Sequence, residues 1–496
     1  MKCRVIFSLS GLLLSGSCLA ALAAADKAPP PVRPSAQPAA DKSKLATPEA
    51  LAHRMWIITE AVLENHFNPP ARQTMLLASL QTLVNGDNSS RVYNLSRCVS
   101  NVTTEEQWTK LLRENWSKVA GEKTPPANRM QVMLEGLSSS VPGGVTLLDP
   151  VVLKVVEQTA GNRYVGTGIQ IAYDQKEKLT QVRLAFRNGP AYRAGMKTDD
   201  FIVAVDGVKT HGMSIRQVID LIRGDEGTPV TIAVRQPNSK ETRSLKMIRS
   251  VVPFETVVGH RRASEDGWSF RIDPAAPIAY LQLKSLTSSI VHELRQKEAQ
   301  LRAEGFHAVI LDMRFNAGGS IHEAALLADA LLDGGVIWRT RDAKDQVKEV
   351  QADRDCLFRD WPVAVLVNDR VVHASDAVAR AWQDKHRVLI VGERSEGECY
   401  MNGRVPLPEG QGELLIRTGL VERVGPVPSG GGIKPDHQLS LTKEQARSLN
   451  AWFAKQEQPF KPGNANEPAP EDPQLVKAIE ALKAALKTTN QVGKGG

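Results

Sequence analysis

The chain has 496 residues, 42% hydrophobic and 24% charged, with a net charge of +7. That is chain enough for about three compact units of ordinary soluble composition, and no repeat period suggests a collagen, coiled coil or solenoid. The basic balance does not make a nucleic-acid binder, because no basic stripe is interleaved with aromatics and no zinc or helix-turn-helix spacing occurs.

The first residues read MKCRVIFSLSGLLLSGSCLAALAAADK. Lys2 and Arg4 precede an apolar stretch that ends in small residues around Ala21–Ala25, the pattern of a secretory signal over 1–25 that is removed after export. The apolar run is too short and too rich in Ser and Gly to span a bilayer comfortably. Cys18 has Ser15 three residues before it, where a lipidation signal would carry Leu, so lipid attachment is not expected. Membrane association beyond the signal is not expected either. The expected address is exported: periplasm or cell envelope, or secreted. Residues 26–48, rich in Pro, Ala and Lys, read as a disordered spacer.

Residues 49–150 follow as a helical region. HRMWIITEAVLENHF, RQTMLLASLQTLVNG, EEQWTKLLRENWSKVA and NRMQVMLEGLSSSV space their apolar residues by three and four. Residues 160–252 change period: YVGTGIQIAYD, TQVRLAF, DFIVAVDG and TPVTIAVRQ are short strand-like runs around one helix, SIRQVIDLIRG. Residues 270–445 alternate: strands IAYLQLKSL, HAVILDM, VAVLVND and RVLIVGE are separated by helices IVHELRQKEAQLRAEG, HEAALLADALLDGG and SDAVARAWQDK. That order implies parallel strands with crossover helices. Residues 446–496 read as a linker, KPGNANEPAPEDP, and a short helix, QLVKAIEALKAALK.

In an open parallel sheet the working site lies beyond the carboxyl ends of the strands. Two loops reach that position, RFNAGGS (314–320) and DRVVHAS (369–375). Gly318 and Gly319 precede a helix start, where backbone amides favour negative charge, so the loop suits an oxyanion hole as well as it suits a plain strand-to-helix turn. In the second loop Ser375 is either a nucleophile with His373 as base or a cap of a helix starting at Asp376; the spacing favours the cap. Cys98, Cys356 and Cys399 do not make a disulfide framework, although a Cys356–Cys399 bridge is conceivable in an oxidising compartment. No metal cluster, phosphate loop or dinucleotide fingerprint occurs, so neither metal nor cofactor is expected.

Taken together, the motifs resemble the carboxy-terminal processing peptidases, or tail-specific proteases, over roughly residues 50–445. YVGTGIQI resembles the opening of that family's PDZ domain. NGPAYRAGMKTDDFIVAVDG resembles its G-P-A-x-x-A-G-x-x-x-G-D stretch, LDMRFNAGGSI its L-D-L-R-x-N-x-G-G loop, and GGGIKPDH its closing G-x-G-I-x-P-D. The resemblance implies a multidomain α/β protein: a helical N-terminal region, a PDZ-like β domain and an α/β peptidase core of the crotonase/ClpP type. It implies a peptide-carboxylate loop at Val165, Gly166, Thr167, Gly168 and Ile169, an oxyanion hole at Gly318 and Gly319, and protein or peptide C-termini as partners. A partner protease, or an oligomer built through the helical region, is a further expectation.

The catalytic segments depart from the family. The nucleophilic serine of V-N-x-x-S-A-S-A-S-E falls on His373 of VNDRVVHASD. The general-base lysine of V-G-E-x-x-x-G-K-G falls on Glu398, and the supporting glutamine falls on Asn402. The interval 398 − 373 = 25 is the family's own serine-to-lysine spacing. A serine–lysine dyad needs a hydroxyl that attacks and a neutral amine that takes its proton; this chain has neither at those positions. The expectation is a peptide-binding homologue impaired in catalysis. The alternatives are an active peptidase using Ser375, with Cys399 a weaker nucleophile candidate, or a scaffold for a partner protease.

Overall fold

The computed structural model describes residues 47–85, 95–116, 128–148, 153, 164–186, 189–252, 255–264, 267–316, 318–395, 397, 399–424, 432–456 and 467–492. The signal segment, nearly all of the spacer and residues 461–466 of the KPGNANEPAPEDP linker expected from sequence lie outside those residues.

Five helices open the described chain: α1 (Pro48–Asn65), α2 (Arg72–Asn85), α3 (Leu95–Ser100), α4 (Glu105–Glu114) and α5 (Arg129–Ser140). Their starts follow local chemistry. Thr47 caps α1 with Pro48 in its first turn, and Thr104 and Gln107 form a reciprocal capping box on α4. Met55, Ile58, Leu76, Leu80, Trp108 and Leu137 are buried on their facing stripes.

A β-domain follows: β2 (Tyr164–Gly166), β3 (Ile169–Asp174), β4 (Leu179–Ala185), α6 (Pro190–Arg193), β5 (Phe201–Val205), β6 (Val208–Lys209), α7 (Ile215–Ile222), β7 (Pro229–Arg235), β8 (Thr242–Ile248) and β9 (Ser250–Val252). The sheet runs β3-β4-β5-β7-β8, with β6 beside β5, so β3 is an edge strand. β2 pairs with β9 as a separate two-stranded ribbon that carries the chain in and out.

The core is a second six-stranded sheet, made of β10 (Val257–Val258), β13 (Ile278–Leu283), β14 (Ala308–Asp312), β17 (Val363–Val367), β18 (Leu389–Gly392) and β21 (His437–Gln438) in that order. All its pairings but β10–β13 are parallel. The central strands are apolar apart from Gln282 of β13 and Asp312 at the end of β14, because both faces are covered. One face, Leu281, Val309, Leu311, Val365 and Ile390, packs on α8 (Ile290–Ala303), α9 (Ile321–Asp329) and α10 (Ala374–Asp384). The other face, Ile278, Tyr280, Ile310, Ala364, Leu366 and Val391, packs on Leu475, Ala478 and Leu482 of a long helix, Pro473–Val492. A small hairpin, β11 (Arg261–Arg262) with β12 (Trp268–Ser269), precedes β13.

Two findings go beyond the sequence reading. A third, antiparallel sheet joins β1 (Thr146–Leu148), β15 (Gly335–Asp342), β16 (Val347–Ala352), β19 (Tyr400–Pro406) and β20 (Glu413–Glu422). Leu407, Leu414 and Ile416 from this sheet's arm enter the core of the helical region, so helices α1–α5 dock on the arm that follows the Glu398 segment. Secondly, residues 446–496 are more than a linker and an appended helix. α11 (Lys443–Gln456) buries Leu449 and Trp452, and α12 (Pro473–Val492) forms a whole layer of the core.

Candidate active site

The carboxyl ends of β14 and β17 lie side by side, with Asp312 opposite Leu366, and bring the 314–320 and 369–375 loops together. Two asparagines staple the loops. Asn316 is fully buried: its amide donates to Leu283 O at 2.8 Å, and its Oδ1 accepts from Gly318 N at 2.9 Å and Ser375 Oγ at 2.7 Å. Asn368 Oδ1 accepts from Phe315 N at 3.1 Å and Arg370 N at 3.2 Å.

Gly318 has φ +97°, and a Cβ there would stand 3.3 Å from both Ala374 N and Val372 O, so its backbone lies directly against the turn that carries His373. At Gly319 a Cβ would fall 2.2 Å from Leu286 O, which leaves no room for a side chain. The Gly318 N–H is spent on Asn316. The nitrogen of Ala374, the first residue of α10, lies against Gly318, and its position in the first turn leaves its amide without an intrahelical acceptor.

His373 sits at the tip with φ 53° and ψ −123°, half-buried, at the N-cap position of α10, and its side chain does not bond the first amides of that helix. Non-glycine residues seldom adopt this backbone. It costs about 1–3 kcal/mol and marks sites where a side chain is thrust out of a sharp strand-to-helix turn.

Ser375 corrects the sequence reading. The helix starts at Ala374, so Ser375 lies inside it and does not cap it. Its hydroxyl is fully buried and donates to Asn316, a placement that equips it to brace the two loops rather than to attack. Asp376, also buried, pairs with Arg380 at 2.7 Å and accepts from Ser395 Oγ, which in turn accepts from Ile433 N at 2.8 Å. Burial holds the Asp376 carboxyl above its ordinary range against the pull of Arg380. This relay fastens the closing I-x-P-D motif to the segment after β18.

Glu398 lies outside the described residues. Its neighbour Cys399 is buried, and that burial pushes its thiol up to about 12, which works against a thiolate nucleophile there. Cys356 and Cys399 are both free thiols, so the bridge conceived from sequence is not formed. Asn402 sits half-buried at a bulge in β19, opposite Arg417.

In the β-domain, Val165 and Gly166 belong to β2 and Ile169 opens the edge strand β3. Gly168 has φ +73° and packs against Gly189. The carbonyls of Thr167 and Gly168 accept from Ala191 N and Phe186 N, each at 2.8 Å. The Thr167 hydroxyl is buried and finds no hydrogen-bond partner among the described residues. Among the described residues no group of three or more His, Cys, Asp or Glu is placed to hold a metal ion.

Sequence reasoning missed the buried braces: Asn316, the Asp376–Arg380–Ser395 relay, and a cluster of Asp312, Arg314, Asp472 and Gln474. The L-D-x-R pattern pointed to the first two members of that cluster. Asp472 carried only a helix-start signal, standing before Pro473.

The architecture defines a class: an α/β peptidase core interrupted by a PDZ-type domain. Residues 277–439 match the model of Peptidase family S41, and residues 183–236 match a PDZ domain model. The chain is 27% identical over 309 residues to the carboxy-terminal-processing protease of Bartonella bacilliformis, covering 61% of this chain and 68% of that one. It is 28% identical over 297 residues to the chloroplastic C-terminal processing peptidase of Tetradesmus obliquus, covering 59% and 64%. The alignments thus span about two thirds of those relatives' length. Among solved structures, a photosystem II D1 C-terminal processing protease aligns at 24% identity and a TM-score of 0.41, covering 79% of this chain and 93% of that one. The chain thus carries a Peptidase family S41 domain over residues 277–439 and a PDZ domain over residues 183–236, and it is similar to the carboxy-terminal processing proteases.

Proposed function

We propose that this is an exported member of the family that binds protein or peptide C-termini and does not cleave them. The observation that carries the reading is His373 on the strained turn, at the position the family gives to its nucleophilic serine. An imidazole there is no durable acyl acceptor, because an acyl-imidazole hydrolyses readily. A carboxylate at 398 cannot act as the neutral amine that a serine–lysine dyad requires. The scaffold around them remains: the Gly318 backbone against the turn, and the Ala374 amide at the helix start.

Binding falls to the β-domain. Strand β3 is an open edge to which an extended peptide can add as a further strand. The Val165–Ile169 loop stands at its start, where a terminal carboxylate would meet backbone amides. Of the alternatives, Ser375 as nucleophile is weakened by its buried bond to Asn316. The scaffold reading called for an apolar stripe left open on the N-terminal helices; the large apolar side chains that are exposed, Val208, Ile248, Leu326, Val347 and Val476, lie elsewhere among the described residues. The leader supports an envelope or secreted location, and no helix of the described residues is long and apolar enough to cross a membrane.

The test is cleavage and binding of an unfolded reporter bearing an apolar C-terminal tail. Wild type, His373→Ser/Glu398→Lys and Ser375→Ala are run side by side on purified mature protein. The expected result is tail binding without turnover in wild type, and a gain of cleavage in the double variant. Turnover by wild type that disappears in Ser375→Ala would overturn the reading and make Ser375 the nucleophile.

A further inference from the structure

We infer that Asp472 and Gln474, far outside the span matched by the peptidase family model, are positioning residues for the 314–320 loop of the candidate site. This rests on reading that loop as a wall of the site. It does not depend on whether the site turns over.

The connection runs through Arg314, the second residue after β14, whose guanidinium is buried. Nε donates to Asp312. Nη2 donates to Asp312 Oδ2 at 2.6 Å and to Asp472 Oδ2 at 2.8 Å. Nη1 donates to Asp472 Oδ1 at 3.0 Å and to Gln474 Oε1 at 3.1 Å. All five guanidinium donors are therefore directed to acceptors. Two of the three acceptor side chains come from the C-terminal segment. Those two are themselves fixed: Asp472 Oδ1 accepts from Leu475 N at 3.0 Å at the start of α12, and Gln474 donates to Leu439 O at 2.7 Å. Asp312 is steadied from the other side by Tyr280 OH at 2.6 Å. One cation between two carboxylates leaves the cluster with an excess negative charge, and the N-terminal end of a twenty-residue helix is suited to bear it.

The loop continues from this anchor. Phe315 takes a left-handed φ of 64° and meets Phe453 of α11 edge-on at 6.3 Å. Asn316 then gathers Gly318 N and Ser375 Oγ, and Gly318 abuts the His373 turn. With Asp472 gone, Arg314 would hold unpaired buried donors one residue from a strained position. Relaxation would then pass along the chain to Gly318.

The experiment compares full-length wild type with Asp472→Asn, Gln474→Met and Leu482→Ala, the last loosening α12 far from Arg314. Hydrogen exchange of the 313–320 amides is read beside the thermal midpoint and beside exchange in β17. Asp472→Asn and Gln474→Met are expected to speed loop exchange about ten-fold or more, with β17 unchanged. Leu482→Ala lowers the midpoint and moves loop and β17 together. Equal loop exchange in Asp472→Asn and Leu482→Ala at matched midpoints would overturn the inference, as would a loop unchanged in the first two variants. Should Asp472→Asn fail to fold, Gln474→Met decides alone. Affinity for the apolar-tailed reporter is measured in the same samples; its absence from wild type would count against the proposed function and leave this inference standing.

Discussion

At His373 the backbone and the side chain can be separated by experiment. Alanine removes the imidazole but keeps a Cβ in the φ 53°, ψ −123° turn; glycine removes both. His373→Gly should therefore be more stable than His373→Ala by about 1–2 kcal/mol, despite the extra entropy glycine brings to the unfolded chain. Denaturant unfolding of the two variants checks this, and equal stabilities would mean the turn relaxes at no cost. A residue kept in so unfavourable a conformation shows why the site was partly legible. The register from Asn368 to Ser375 placed His373 at the tip, but residue types could not reveal that Ser375 faces inward to Asn316. The helix begins two residues earlier than its polar cap-formers suggested, and that shift turns the hydroxyl from surface to interior.

Among the elements, the strands buried on both faces were readable and the half-exposed ones were not. AVILD and VAVLV announce themselves as central strands. GVIWRTRD and VKEVQA carry charges on an open sheet, and MNGRVP begins at a bulge, so the antiparallel sheet had no comparable signal. The same contrast locates a sensitive joint. Gly392, the last residue of β18, has φ +134°, and a Cβ there would fall 1.9 Å from Val367 O. Neither backbone can yield without opening the parallel β17–β18 pair, whose carboxyl ends lead into the His373 loop and the Ser395 segment. Gly392→Ala should cost at least about 3 kcal/mol, seen as a lowered thermal midpoint or loss of soluble protein. A midpoint within a degree or two of wild type would show that the joint is softer than its geometry.

Across the whole molecule, the junction between the β11–β12 hairpin, the core sheet and α11 should respond to acid. Burial, seconded by the charge of Arg261, lowers the His260 pKa to about 4, with Tyr280 edge-on at 5.2 Å and Trp452 at 6.2 Å; Asp312 and Asp472 oppose the shift, and Arg314 adds to it. The folded state then binds fewer protons than the unfolded state between the two pKa values. Its stabilising share is complete above about pH 6.5 and is lost as pH falls towards 4, amounting to about 2–3 kcal/mol. His66, whose pKa burial also lowers, acts in the same direction. Urea unfolding from pH 7 to 4.5 should show a shallower decline in His260→Leu than in wild type; parallel declines would remove His260 from the account. The spacing of Leu475, Ala478 and Leu482 told of a helix with one apolar face. It could not tell which surface received that face, because the partner strands lie far back in the chain.

That distance has a consequence for how the protein is made. Strand β13 is complete at Leu283, yet the helix that covers its Ile278–Tyr280 face starts at Pro473. About 200 residues separate them, a delay on the order of 10–40 s at ordinary synthesis rates. Throughout it, one side of a nascent parallel sheet is a broad greasy plane with nothing over it. A growing chain in that condition is a natural client for holding chaperones. A ribosome stalled before Pro473 would release a product with its strands in place and an uncovered sticky surface, material for aggregation and disposal rather than a shortened working protein.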